Sequence, residues 1–210
     1  TNFMVSFIIE KEDDDCHPLL KSLCDEFTGS EILVSGPTAL CGQKNHSLAF
    51  GADHLRPETR IVVTCDSSSL ARPDWLKSLT RPIREGKGLC VTTFRTFNPS
   101  CGSSAGVCQA IYGSLVSLLI AIEPKPWGGS TAIERAPFDR LDIRSHWLKT
   151  VVDDLVIGNV LGSNGLQVIF APDSIMESPL NRQTFLGFLS FLHRQILFPK
   201  CTNPGVWLSS

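Results

Sequence analysis

Four short apolar runs recur along the first half of this chain, and helical patterns fill the gaps between them. Phe3 to Ile9 (FMVSFII), Glu31 to Ser35, Arg60 to Cys65 (RIVVTC) and Gly88 to Thr93 have the length and the β-branched content of strands. The composition of Arg60 to Cys65 is that of a strand buried on both faces. Between these runs, His17 to Phe27 puts Leu19, Leu20, Leu23 and Phe27 on one helical face, Lys44 to Leu55 reads as a helix, and Pro73 to Arg84 begins on a proline that suits a first turn. The order β-α-β-α-β-α-β predicts an α/β fold with a mostly parallel central sheet flanked by helices. Ligands of such sheets bind beyond the carboxyl ends of the strands, and Asp66 stands at that edge. The second half is less regular. It reads as an apolar helix over Ala105 to Ile122, a glycine-rich turn at Trp127, a helix from Asp153 to Leu161, a strand from Gln167 to Phe170 and a last helix from Arg182 to about Phe198. With no internal repeat and no low-complexity linker, residues 1–210 read as one domain.

The apolar fraction of 42% and charged fraction of 19% belong to a globular chain, and 210 residues suffice for a sizeable core. A net charge of −2 argues against a nucleic-acid partner, which rewards basic surfaces. The 8 cysteines (Cys16, Cys24, Cys41, Cys65, Cys90, Cys101, Cys108 and Cys201) form no C-x-x-C pair, so neither a zinc knuckle nor a redox motif is expected. Cys65 and Cys90 lie in apolar runs, where a thiol packs as a small hydrophobe, and reduced cysteines facing a cytosol are expected. His17, His46, His54, His146 and His193 lack metal-ligand spacing, and Trp147 and Trp207 read as packing or interface residues. The run from Ala105 to Ile122 is near the length of a membrane span, but Gly106 and Gly113 dilute it; a buried helix, or one lying in a membrane interface, is the expectation. No signal-peptide pattern is visible, and Thr1 in place of Met reads as an excerpt of a longer chain.

Three features carry chemistry. Asp66 follows a strand and precedes Ser67, Ser68 and Ser69; a carboxylate there can hold a divalent metal, or can cap a helix or an Asx-turn. Trp127-Gly128-Gly129-Ser130 is a turn whose glycines let a backbone approach a ligand, or simply make a tight bend. Asp153-Asp154 is a carboxylate pair with apolar neighbours; it can remove a proton from a substrate, or complement a helix dipole. Adjacent carboxylates repel, so one of them can be held with a raised pKa that suits base chemistry near neutral pH.

Taken in order, Asp66, Trp127 to Ser130, Asp153-Asp154 and His193-Arg194-Gln195 resemble glycosyltransferases of families 2 and 21, whose domains have the GT-A (Rossmann-like) fold. Ceramide glucosyltransferases and their bacterial relatives fit best. The resemblance runs from Val5 to about Pro199; Gly42 to Leu48, with Lys44, fits the lysine-bearing segment, Pro73 to Leu76 the helix after the metal-site strand, and Ala171-Pro172 the end of a later strand. It implies an inverting transfer of glucose or another hexose from a UDP-sugar to a lipid hydroxyl such as that of ceramide. Asp154 would be the general base and Asp153 would tune it or place the acceptor. Asp66 and Ser68 would stand at the two D-x-D metal positions, with Mn²⁺ or Mg²⁺ as cofactor. Gly128, Gly129 and Ser130, with Trp127, would line the sugar and acceptor side, and Lys44 would reach the nucleotide or its phosphates. Arg194 would hold the arginine position of the Q-x-x-R-W motif and offset the leaving diphosphate, flanked by His193 and Gln195. Three positions depart from the pattern: Ser68 replaces the second acid, Gln195 stands where the motif has Trp, and Ser35 stands where many family 2 enzymes have a uridine-binding Asp, an acid that the glucosylceramide branch also lacks. Such relatives are membrane-anchored, which implies a catalytic domain on the cytosolic face of a Golgi or ER membrane, or of a bacterial inner membrane. Two other classes compete. A non-catalytic relative would bind a sugar nucleotide without turnover. A sugar nucleotidyltransferase would need a basic glycine-rich loop after the first strand, where this chain has the acidic Glu10 to Asp15.

Overall fold

A computed structural model describes residues 3–100 and 102–202; Cys101 and Trp207 lie outside the described residues, as does the side chain of Cys201. In chain order the elements are β1 (Val5–Ile9), α1 (His17–Glu26), β2 (Ser30–Val34), α2 (Gln43–Asp53), β3 (Ile61–Cys65), α3 (Trp75–Arg84), β4 (Cys90–Thr92), β5 (Arg95–Pro99), α4 (Ser104–Ile122), β6 (Ser130–Glu134), α5 (Arg135–Arg140), α6 (Ile143–Trp147), α7 (Asp153–Ser163), β7 (Val168–Phe170), β8 (Met176–Leu180) and α8 (Phe185–Thr202), with a 3-10 turn over Pro172–Ser174 before β8. They form two compact units, one of Thr1–Thr59 with Asp142–Asp153 and one of Arg60–Leu141 with Asp154–Ser210.

In the first unit β1 and β2 pair in parallel, from Val5 opposite Ser30 to Ile9 opposite Val34. Helix α2 packs on β1 and on α6. Gly51 makes the first contact possible, because a Cβ there would overlap the Ile8 side chain. The second is pinned by the fully buried Asn45, whose Nδ2 donates to Trp147 O at 3.3 Å, Thr150 O at 3.1 Å and Thr150 Oγ1 at 2.9 Å. Trp147 is buried, in keeping with a packing role. The apolar face expected of α1 is not covered: no residue of this helix is buried, and Leu19 and Phe27 are exposed. It rests on β2, one strand of a two-stranded sheet, which offers too little area to bury a whole helix face.

The second unit holds a four-stranded sheet of order β3-β6-β4-β7. Strand β6 runs antiparallel to β3 and β4, and β7 runs parallel to β4, so three of the four strands share one direction. This is the expected α/β type with mostly parallel strands and flanking helices. The insertion of β6 between β3 and β4 was not expected, because such a pairing joins segments too distant for local periodicity to register. Leu79, Ile83, Val91, Ala132 and Ala171 form the core under α3. Strand β3 is at the sheet edge, and of its residues only Thr64 is buried. The expectation of burial on both faces therefore fails, and Cys65 is exposed, while Cys90 on the interior strand β4 is fully buried. No disulfide joins the described cysteines Cys16, Cys24, Cys41, Cys65, Cys90 and Cys108 to one another. A further parallel pair, β5 with β8, had no strand signature, since Pro99 and Pro179 lower β propensity. The fully buried residues of helix α4 are small ones and a glutamine, Val116 and Ile120 pack against the core of Phe94, Trp127 and Met176, and many of its large residues point outward. Ala105, Gly106, Gln109 and Gly113 are buried, whereas Val107, Ile111, Leu115, Leu118, Leu119 and Ile122 are exposed. Gly113 is required where the Phe97 ring lies against the helix. The buried-helix expectation is thus corrected: β5 and α8 cover one side only.

Candidate active site

The turn before β6 is built from the inside out. Trp127 N–H donates to Thr92 Oγ1 at 3.0 Å and Thr131 Oγ1 at 3.1 Å, and Thr131 Oγ1 donates to Trp127 O at 2.7 Å. The buried indole folds back over the turn, and a Cβ on Gly129 would overlap it. Its edge meets Phe94 at a centroid distance of 5.0 Å. Ser130 is fully buried, and its Oγ accepts from Trp75 Nε1 at 2.9 Å. Two expectations are corrected here. The space left by Gly129 is filled by Trp127 and not by a ligand, and Ser130 bonds inside the core instead of lining a sugar pocket.

What the turn presents outward is backbone. Gly129 O accepts from Asp66 N at 3.1 Å, just past the end of β3. Gly128 N donates to Asp154 Oδ2 at 3.2 Å, while Asp154 Oδ1 accepts from Leu155 N at 2.8 Å. Asp154 is half-buried in the first turn of α7, where the helix dipole favours a carboxylate. One short turn thereby holds two of the predicted carboxylates.

Beside Asp66 lies a residue that sequence reasoning missed. Arg95 opens β5, and its Nη1 donates to Ser68 Oγ at 3.3 Å and to Ser178 Oγ at 3.4 Å. The guanidinium lies 4.7 Å from the Phe97 ring centroid and 5.3 Å from that of Trp127. Burial lowers its pKa, the Asp66 charge opposes that shift and the Arg194 charge adds to it. Asp66, Ser68, Trp127 and Arg194 are therefore gathered around Arg95. The available signal was an arginine set between Phe94 and Phe97, directly after a strand. On α8, His193 and Arg194 are exposed and Gln195 is half-buried.

In the first unit, the mostly buried Asp153 pairs with Lys44, Oδ2 to Nζ, at 3.0 Å. The contact is an ion pair without the alignment of a hydrogen bond. Trp147 Nε1 donates to Asp153 O at 3.3 Å. Lys44 and Asp153, expected on the nucleotide and beside the base, are partners of each other. Ser35 Oγ lies 3.1 Å from Ser47 Oγ and donates to Ile9 O at 3.2 Å.

The donor set around Asp66 does not fit Mn²⁺ or Mg²⁺. Ser68 is neutral and already accepts from Arg95, whose charge repels a cation at that position. Among the described residues no group of three His, Cys, Asp or Glu side chains converges on a point.

Comparison of the sequence with protein-family models and with curated proteins gives no match. Solved structures do match. One, described as the crystal structure of a mycobacterial protein, superposes with a TM-score of 0.50 at 19% identity, over 94% of this chain and 64% of that chain. The likeness is one of fold. This chain spans less than two thirds of that relative's length. A second is glucosyl-3-phosphoglycerate synthase from Mycobacterium tuberculosis, solved with Mn²⁺, UDP-glucose and phosphoglyceric acid; it superposes with a TM-score of 0.43 at 15% identity, over 93% of this chain and 77% of that chain.

Proposed function

We propose that the chain is an inverting glycosyltransferase of the GT-A fold, which moves a hexose such as glucose from a UDP-sugar to a lipid hydroxyl. Ceramide is the type of acceptor implied by the resemblance to the glucosylceramide branch. The observation that carries the reading is the Trp127 turn, bonded to Asp66 through Gly129 O and to Asp154 through Gly128 N. A diphosphate end, where the charges of Asp66 and Arg194 both act on Arg95, and a candidate base are thereby tied to adjacent residues of one turn. Asp154 would take the proton of the acceptor hydroxyl. The oxygen would then attack the anomeric carbon, and the bond from that carbon to the phosphate oxygen would break with its electron pair leaving on UDP. Lys44 and Asp153 would hold the chain at the start of α7 and take no part in the displacement.

A lipid acceptor is supported by α4, which is long and apolar enough to cross a membrane and is only 22% buried. Its outer face borders an open groove of about 510 Å³ lined by Val107, Ala110, Ile111, Ser114, Leu115 and Leu118. Such a face suits a helix lying in a bilayer interface, with the domain on the cytosolic side. The test is hexose transfer from UDP-glucose to ceramide in mixed micelles. Asp154→Asn is expected to lower the rate by about 10²-fold or more, in line with the loss of a general base; equal rates in the two proteins overturn the assignment of the base. Ser68 in place of a second acid favours one alternative, binding without turnover, and UDP binding with neither transfer nor donor hydrolysis would establish it.

A further inference from the structure

The geometry points to Arg95 as the group that binds the donor diphosphate, in place of a divalent metal. This inference rests on the glycosyltransferase reading for the identity of the donor, but the site itself is argued from its own chemistry. A guanidinium has five N–H donors in a planar fork that matches phosphate oxygens two at a time. In Arg95 those donors are under-used. The Nη1 bonds go to neutral hydroxyls at 3.3 and 3.4 Å, and Nε is buried without a partner. A charged donor left with long bonds to serines has capacity for a stronger, anionic acceptor.

The surroundings favour an anion as well. Asp66 supplies one negative charge, and Arg95 and Arg194 supply two positive ones within electrostatic reach of each other. The balance is positive, which a diphosphate would neutralise and a metal ion would aggravate. The Phe97 and Trp127 rings, 4.7 and 5.3 Å from the guanidinium, restrict its orientation before a ligand arrives. Ser68 stands where a second metal-binding acid would stand, and a carboxylate there would compete with phosphate for Arg95. The serine and the arginine therefore belong together as one change of charge at the site.

Calorimetry with inorganic pyrophosphate and with UDP, each in EDTA and each with Mn²⁺, tests the inference. The wild type is expected to bind pyrophosphate in EDTA, with no gain in affinity from Mn²⁺. Arg95→Met should weaken that binding on the order of ten-fold or more, and Arg95→Lys should restore part of it, since an ammonium keeps the charge and loses the fork. Ser68→Asp, at an exposed position, guards against a misfolded Arg95 variant: it should weaken metal-free binding and make Mn²⁺ beneficial. A wild type that binds pyrophosphate only with Mn²⁺ overturns the inference, as does Arg95→Met or Ser68→Asp binding as tightly as wild type in EDTA. The nucleotide reading fails separately, if UDP binds no more tightly than pyrophosphate while the dependence on Arg95 persists.

Discussion

Single side chains in this molecule are fixed by what they displace. Trp127 covers Gly129, Ser130 caps the Trp75 indole from inside, and Cys90 fills β4 between two other strands. Burial pushes the Cys90 thiol from 9.0 up to about 12, because no charge or donor nearby compensates a thiolate there. The native state therefore keeps this proton longer than the unfolded chain does. Below pH 9 the thiol is neutral in both states and its contribution to stability is intact; from pH 9 toward 12 the unfolded chain ionises first and stability falls. The urea midpoint of the wild type should thus drop above pH 9 more steeply than that of Cys90→Val. Peptide mapping after alkylation at pH 8 should find Cys65 and Cys108 modified and Cys90 untouched. The residue-level chemistry was legible in part. Asp66 and Asp154 stand out as charges at element ends and Arg194 as part of a motif, whereas Arg95 does not stand out, because its meaning depends on Ser68 and Ser178, 27 and 83 residues away.

At the scale of elements, periodicity located most helices and strands, and it failed where an element's partner is short or absent. The apolar face of α1 finds only a two-stranded sheet. Strands β5 and β8 were invisible because polar residues and prolines fill an edge pair whose stability comes from pairing with each other and, for β5, from α4. Helix α4 is the inverse case: its apolar content predicted burial or an interface, and its own small residues settled which side is covered. Replacing Ile111, Leu115 and Leu118 together with Gln should leave the thermal midpoint within a few degrees of wild type, because these side chains are exposed and little apolar area leaves a core. Sedimentation with phosphatidylcholine vesicles should show the variant losing most of its bound fraction. Undiminished vesicle binding by the variant would remove α4 from the membrane contact.

On the scale of the molecule, the boundary between the two compact units falls between the paired carboxylates, Asp153 in one and Asp154 in the other. Their substitutions should differ in kind. Asp153→Asn breaks the Lys44 pair and should lower the stability measured by urea unfolding by about 1 to 3 kcal/mol, between the costs of exposed and buried ion pairs. Transfer by the folded fraction should persist. Asp154→Asn keeps an oxygen for one of its two N–H donors, Gly128 or Leu155, and should cost about 1 kcal/mol of stability, while its main effect falls on transfer. By itself the sequence determined the α/β class, the positions of most helices and strands along the chain, and the carboxylates that carry the proposed chemistry, because these follow from local periodicity and from charges placed at element ends. Only the tertiary structure decided that β6 runs backwards between β3 and β4, that Asp153 belongs to Lys44, that Ser130 is core, and that Arg95 bonds to Ser68. Each of these depends on which distant segments meet, and the free energy of such meetings is not written in any one window of the chain.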